Sequence, residues 1–223
     1  MKGLDSNPHL LYVSTTLPTS GMGSSVVVYR HLKKLHNWRI SILTYPQKIK
    51  PEHNIPSDWN IFSFSKQKIS ALGGIGQVLL LNKHFNEGYA SRYIQWPQDG
   101  FEPPNRIIHV YGKSSILALA LSRYWDVPLC TILHDRWNIW VANRIFERYC
   151  MKAGLAKQIL EASSRVWSVS QTLADYYNVG NRAHTKILFP LPSDYEISPA
   201  QRLDRYSDSP VFAYAGSLRA YLI

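Results

Sequence analysis

The chain has 223 residues, 45% hydrophobic content and a formal net charge of +10 at pH 7. Its length and hydrophobic content exclude a disordered chain and allow one substantial core, with or without part of a second domain. The basic surface suits anionic partners such as phosphorylated substrates, acidic membranes or nucleic acid, and charge by itself does not rank them. No apolar run approaches the roughly 18 residues of a membrane span, and the first residues lack the apolar core of a signal peptide, so we expect a cytoplasmic protein.

The first elements are a strand, a glycine loop and a helix. The run LLYV, extended by β-branched residues to Thr16, is typical of a strand buried on both faces. Residues Pro18–Gly23 interrupt it, and Ser24 or Ser25 is expected to cap the helix that follows. Two glycines allow close approach of a ligand, and a helix start favours an anion, so the loop predicts a phosphate site. A plain strand-to-helix turn needs the same glycines and remains the alternative.

Strands and helices then alternate along the chain. Strands are predicted at RISILTY, NIFSF, IIHVY, VPLCTILH, RVWSVS and TKILFPL. Helices are predicted over ILALALSRYW, over QTLADYY with Ser170 as its cap, and from about Trp137 to Ala162 with an interruption near Gly154. Cys130 and Cys150 fall in apolar elements and are expected to be buried free thiols. The alternation predicts an α/β fold with a Rossmann-like, doubly wound parallel sheet.

In such sheets ligands bind beyond the carboxyl ends of the strands. This rule brings together four segments whose residues we expect to line one crevice. They are the loop with Gly21, Met22, Gly23 and Ser24, the turn with Tyr111, Gly112 and Lys113, the strand end with His134 and Asp135, and the strand-to-helix junction with Ser170.

The last part of the chain has a different composition. Residues 193–210 are polar and charged with prolines and predict a linker after a domain spanning 1–192. The segment 211–223 begins with the strand-like run VFAYAG. A strand that opens a new unit without a successor predicts the start of a second domain, and its exposed edge would invite pairing.

Four motifs in this order, LPTSGMGSS, TILHD, SVSQTLADYY and FAYAGSLR, resemble the family 4 glycosyltransferases of the GT-B fold. The resemblance implies an acceptor domain followed by the start of a nucleotide-sugar domain. It places Gly21 and Gly23 near the donor phosphates and the acceptor, and Gly216 and Arg219 on the donor side. The chain departs from the family pattern in three places. Ser217 replaces the arginine often found on the donor side, and no lysine-glycine pair follows it. HVYGKSS stands where the family often carries a histidine, and this last difference leaves the identity of the acceptor open.

His134 and Asp135 are the expected catalytic pair. Glycosyl transfer builds positive charge on the sugar and negative charge on the departing diphosphate, so oriented polar groups are needed near both. A histidine at a strand end is suited to hydrogen-bond the sugar or the incoming hydroxyl, and the aspartate to act beside it. In the alternative interpretation, His134 is a buried structural histidine and Asp135 caps a helix.

The resemblance implies transfer of a sugar from a nucleotide-sugar to a glycan or lipid-linked acceptor, with no further cofactor and no metal. The histidines and cysteines show no metal-ligand spacing. A complete donor domain would require on the order of 150 more residues. We therefore expect a truncated chain that is inactive by itself or needs a separate donor-domain chain.

The alternative is a binding module without catalysis. Residues 137–157 interleave aromatic and basic side chains, which suits an anionic inner membrane face or a lipid acceptor, and a core-facing helix explains the same pattern. Nucleic acid is not expected, because the basic residues are scattered and no recognition motif is present. A nicotinamide enzyme is disfavoured because SGMGSS is not GxGxxG and no acidic residue ends the second strand.

Overall fold

The structure, a computed structural model, describes residues 7–20, 23–45, 49, 51–63, 102–112, 114–134, 155–179 and 184–188. These residues belong to the first of two units into which the chain divides, Met1–Leu191 and Pro192–Ile223. Its described strands and helices, in chain order, are β1 (His9–Val13), α1 (Gly23–Lys33), β2 (Arg39–Thr44), a 3₁₀ turn (Pro51–His53), β3 (Asn60–Ser63), β4 (Arg106–Val110), α2 (Ser115–Trp125), β5 (Leu129–Leu133), α3 (Leu155–Ala162), β6 (Ser163–Ser168), α4 (Gln171–Tyr176) and β7 (Thr185–Ile187).

The strands form one seven-stranded sheet in the order β3-β2-β1-β4-β5-β6-β7, and every neighbouring pair is parallel. β1 lies between β2 and β4, where Leu11 is opposite Ser41 on one side and Ile107 on the other. All five residues of β1 are buried. This arrangement confirms the predicted α/β fold with a Rossmann-like parallel sheet.

The described helices cover both faces of the sheet. Leu11 and Val13 belong to a hydrophobic cluster with residues of α2, α3 and α4. Leu10 and Tyr12, which point to the opposite face, belong to a second cluster with Val28 and other residues of α1. Because successive side chains of a strand alternate between faces, the apolar run of β1 contributes to two cores at once. The sheet is doubly wound, as predicted.

Several element boundaries differ from the sequence prediction, among them the starts of α1 and β6. α1 begins at Gly23, so Ser24 and Ser25 lie in its first turn and neither is the cap; the hydroxyl of Ser25 instead lies 3.4 Å from that of Thr19. β6 begins at Ser163, two residues before the predicted start, directly after α3. The hydroxyl of Ser164 donates to Leu129 O at 2.9 Å beside a register shift, which attaches this end of the strand to β5.

A chain of polar side chains crosses the interior of the sheet from β4 to β6. The Nε2 atom of His109 lies 2.8 Å from Thr131 Oγ1, which lies 2.6 Å from Ser163 Oγ, and Ser163 donates to Ile159 O at 2.7 Å. Since that carbonyl can only accept, Thr131 must donate to Ser163 and His109 Nε2–H must donate to Thr131. The three shortest contacts therefore assign the Nε2–H tautomer, in which Nδ1, 3.2 Å from Val110 O, carries no proton.

Several predictions lie outside the described residues: the basic segment 137–154, Cys150, the linker 193–210 and the strand after 211. Cys130, in β5, is a buried free thiol as predicted. None of the described helices is long and apolar enough to cross a bilayer.

Candidate functional site

The candidate site lies at the carboxyl edge of the sheet, between β1 and β4. From β1 the chain continues to β2 on one side, whereas β4 leads to β5 on the other, so the strand order reverses between β1 and β4. At such a switch point the connections diverge and leave a crevice beyond the strand ends. The segments after β1, β4, β5 and β6 follow one another along this edge, because their strands are adjacent in that order.

The segment after β1 is held by a hydrogen bond to β2, by a hydrogen bond within the segment and by the packing of Leu17. Ser14 N continues the pairing with β2 by donating to Leu43 O at 3.0 Å, and Thr16 N donates to Ser14 Oγ at 3.2 Å. Leu17 is 3% exposed and packs in the same cluster as α1. These contacts fix the part of the segment that directly follows β1.

The charges on α1 suit an anion at its start. Its first turn carries no acidic side chain, whereas its last turn carries Arg30, His31 and Lys33. The unpaired N–H groups and the partial positive charge at a helix start therefore meet no carboxylate from the helix itself, and the basic last turn complements the opposite end of the dipole.

Hydrogen bonds attach the turn after β4 to the start of α2 and to the end of β1. Gly112 N donates to Ser115 Oγ at 2.8 Å, and Ser114 Oγ lies 3.5 Å from Val13 O. Ser114 occupies the cap position of α2 without making a side-chain capping bond, and its hydroxyl contacts Val13 O instead. The ring of Tyr111 is 7% exposed and packs edge-to-face on Tyr177, with 5.1 Å between centroids.

Gly112 is not required by the surrounding structure. A Cβ added to it would meet, among the described atoms, Val110 O at 4.0 Å, and its φ lies outside the left-handed region. An alanine would therefore fit without strain, which makes this position a useful probe of ligand approach.

Residues after β5 and β6 complete the edge. His134 follows β5 directly and is half-buried. Ser168 is buried and donates to Ser170 O at 2.8 Å. Ser170 caps α4, because its hydroxyl accepts from Leu173 N at 3.2 Å, as the sequence predicted.

The structure thus brings Gly23, Tyr111, Gly112, His134 and Ser170 to one edge of the sheet. Their contacts with substrate stay predictions. The remaining predicted site residues lie outside the described residues or, for Ser24, have no described side chain: Gly21, Met22, Ser24, Lys113, Asp135, Gly216 and Arg219.

The opposite, amino edge carries a polar network that the sequence analysis missed. His9 is 3% exposed, with Nε2 at 2.8 Å from Ser41 Oγ and Nδ1 at 3.0 Å from Glu102 O. Arg39 pairs with the Glu102 carboxylate at 2.7 Å. Burial, reinforced by the charge of Arg39, lowers the pKa of His9. These groups bind one another, and they attach the segment before β4 to the sheet.

A second concavity lies between α1 and the sheet and has a volume of about 200 Å³. Its walls are formed by Val28, His31, Leu32, Leu35, Ile108, Ile132, Trp167 and Leu188. The mainly apolar lining does not suit a phosphate, so the carboxyl edge is the better candidate for an anionic ligand. Among the described residues, no group of three His, Cys, Asp or Glu side chains is placed to hold a metal ion.

The parallel sheet and the reversal of its strand order between β1 and β4 define an α/β protein of the Rossmann-like class. No protein-family model matches the chain, and no curated protein matches it. Crystal structures of HepE from Anabaena, in complex with UDP and glucose and in complex with UDP, align with TM-scores of 0.48 and 0.44, each at 16% identity. The alignments cover 82% and 81% of this chain but 44% and 43% of HepE, so the chain spans less than half the length of these neighbours.

Proposed function

We propose that this chain is the acceptor-side domain of a glycosyltransferase of the GT-B, family 4 type, which transfers a sugar from a nucleotide-sugar to an acceptor. One observation carries the proposal: the strand order reverses between β1 and β4. At the carboxyl edge of this part of the sheet, the glycine loop follows β1 and the His134 segment follows β5. The motifs LPTSGMGSS and TILHD, which carry the family resemblance, lie on these two segments.

In this proposal the glycine loop and the start of α1 approach the diphosphate of the donor. Gly21 and Gly23 leave room for the phosphate oxygens, and the N–H groups at the helix start offer hydrogen bonds to them. Met22 and Ser24 lie beside them in the sequence. The net charge of +10 favours encounter with the doubly anionic ligand over a neutral sugar.

His134 acts on the sugar or on the acceptor hydroxyl. It follows β5, which neighbours β4, so it lies one strand away from the switch point. An imidazole there is suited to hydrogen-bond the reacting groups as positive charge develops on the sugar, and Asp135 is proposed to assist it. Tyr111, Gly112, Lys113 and Ser170 are proposed to contact the substrates, and Gly216 and Arg219 to belong to the donor side.

The proposal is tested by NMR titration of the isotope-labelled chain, which detects weak binding. UDP and glucose, the ligands named for HepE, serve as the first probes, together with UDP-glucose, GDP and sulfate. We expect nucleotide-dependent shifts at Ser20, Gly112 and His134 on the carboxyl edge and none at His9 and Arg39 on the amino edge. Shifts confined to the amino edge, equal shifts with sulfate, or no shifts at all would contradict the proposal.

Two variants sharpen this test. Gly112→Ala should leave the melting temperature unchanged, because the added Cβ has space, and should weaken nucleotide binding if the ligand approaches this turn. His134→Gln should weaken ligand binding more than His31→Gln, a change of another half-buried histidine that lies on α1 beside the apolar concavity. Equal effects of the two histidine changes would remove His134 from the site.

A further inference from the structure

The connection between β2 and β3 contributes a short turn, Pro51–Asn54, that contacts the glycine loop and α1 at the same time. Asn54 N donates to Pro51 O at 3.2 Å and closes the turn. Asn54 itself has φ 49°, in the left-handed region, which asparagine adopts more readily than most residues. The turn therefore presents its carbonyl groups and the Asn54 amide in a fixed direction.

On one side the turn binds Ser20, the last described residue before α1. Ser20 N donates to His53 O at 3.3 Å, and Ser20 Oγ lies 3.4 Å from the same carbonyl. Asn54 Nδ2 donates to Ser20 Oγ at 3.3 Å. The backbone and the side chain of Ser20 are therefore both held by residues that lie more than thirty positions later in the sequence.

On the other side the turn binds α1. Tyr29, two turns into the helix, donates its hydroxyl proton to Asn54 O at 2.7 Å. The Tyr29 ring is 6% exposed and packs against Trp59 with 5.7 Å between centroids. Because Tyr29 is buried, its hydrogen bond holds the turn in place against α1. The turn in turn holds Ser20.

We infer that the Pro51–Asn54 turn positions Ser20, the described end of the segment between β1 and α1, for a ligand at the carboxyl edge of the sheet, with Asn54 as the positioning residue. This inference rests on the proposed function of the loop. Without the turn, Ser20 would keep its place in the chain but lose the contacts that fix its orientation relative to α1. A loop that samples several orientations binds a diphosphate less tightly, because ordering it costs conformational entropy on binding.

The test compares Asn54→Gly with Asn178→Gly. Both asparagines are exposed and both have positive φ, 49° and 54°, so glycine suits both backbones. Asn178 lies after the end of α4, away from the loop. We expect Asn54→Gly to increase hydrogen exchange at the Ser20 amide. It should also weaken UDP-glucose binding by about fivefold, which is the equivalent of one ordinary hydrogen bond. The melting temperatures of Asn54→Gly and of the Asn178→Gly control should be equal.

A double-mutant cycle with Ser20→Ala tests whether Asn54 acts through Ser20. The double variant should bind no more weakly than the more affected single variant, because both changes remove the same contact. Additive losses, or affinity equal to that of the Asn178→Gly control, would overturn the inference while leaving the proposed function in place. If the unchanged protein binds neither UDP nor UDP-glucose, the proposed function fails and the inference fails with it. Hydrogen exchange at the Ser20 amide would then report only how strongly the turn holds Ser20 in place.

Discussion

His109 makes the stability of the protein depend on pH in a defined direction. The residue is fully buried between β1 and β5, and burial lowers the pKa of its imidazole from 6.5 to about 4, against a weaker opposing effect of the Val110 carbonyl. Between these two pH values the unfolded chain binds a proton at this ring and the folded chain does not. Unfolding is therefore favoured as the pH falls, and the full contribution to stability is present only above about pH 6.5.

The difference between the two pKa values corresponds to about 3 kcal/mol of unfolding free energy. That is a large part of the 5–15 kcal/mol or so that is typical of a folded domain. His109→Gln removes the titrating ring but keeps a side-chain N–H that can donate to Thr131. We expect the variant to lose about 3 kcal/mol less stability than the unchanged protein when the pH is lowered from about 7 to about 4.

Urea unfolding curves at a series of pH values measure this difference. Thr131→Val is the matched control, because it interrupts the same polar chain but keeps the imidazole. It should lower stability at every pH, by about 1–3 kcal/mol for the unsatisfied buried donor, and keep most of the pH dependence. Parallel pH profiles for the unchanged protein and His109→Gln would refute the reasoning. So would ring resonances of folded His109 that titrate near pH 6.5, or a ring protonated on Nδ1 at neutral pH.

Three further predictions concern the fold. Ser170→Ala should lower the free energy of unfolding by about 1 kcal/mol through loss of the α4 cap, whereas Ser170→Asp, which keeps a capping oxygen, should lower it less; equal urea midpoints for both would contradict the cap. Leu11→Ala, at a fully buried position of the central strand, should cost about 2–5 kcal/mol, while Ile49→Ala, at a 51% exposed side chain, should cost less than about 0.5 kcal/mol. The Cys130 thiol, buried and with its pKa raised by burial, should react with a disulfide reagent only on unfolding when tested in a Cys150→Ser background; rapid reaction of the folded protein would contradict its burial.

The local elements were predictable because each depends on neighbouring residues. LLYV is uniformly apolar, and a strand in the centre of a doubly wound sheet needs apolar side chains on both faces. Ser170 precedes QTLADYY at the spacing at which a serine hydroxyl reaches the third amide of a helix. The parallel pairing of the strands followed from the fold class, since strands that alternate with helices form parallel sheets.

The contacts that depend on register were not predictable. His109, Thr131 and Ser163 each lie inside or beside an apolar run, and nothing in the spacing of the three along the chain indicates that they meet. They form one hydrogen-bonded chain because β4, β5 and β6 are adjacent at a particular register. The same holds for Ser20 and Asn54, which are brought together by the path between β2 and β3 rather than by any local pattern.

The two edges of the sheet should respond differently to substitution, and this difference follows from how each edge uses its polar groups. At the amino edge, His9, Arg39 and Glu102 bind one another, so a change there removes internal contacts and acts on stability. At the carboxyl edge the strands end in loops whose positions are set by backbone contacts and by the Pro51–Asn54 turn. Substitutions such as Gly112→Ala that leave those contacts intact should therefore act on ligand binding alone, which separates a functional edge from a structural one.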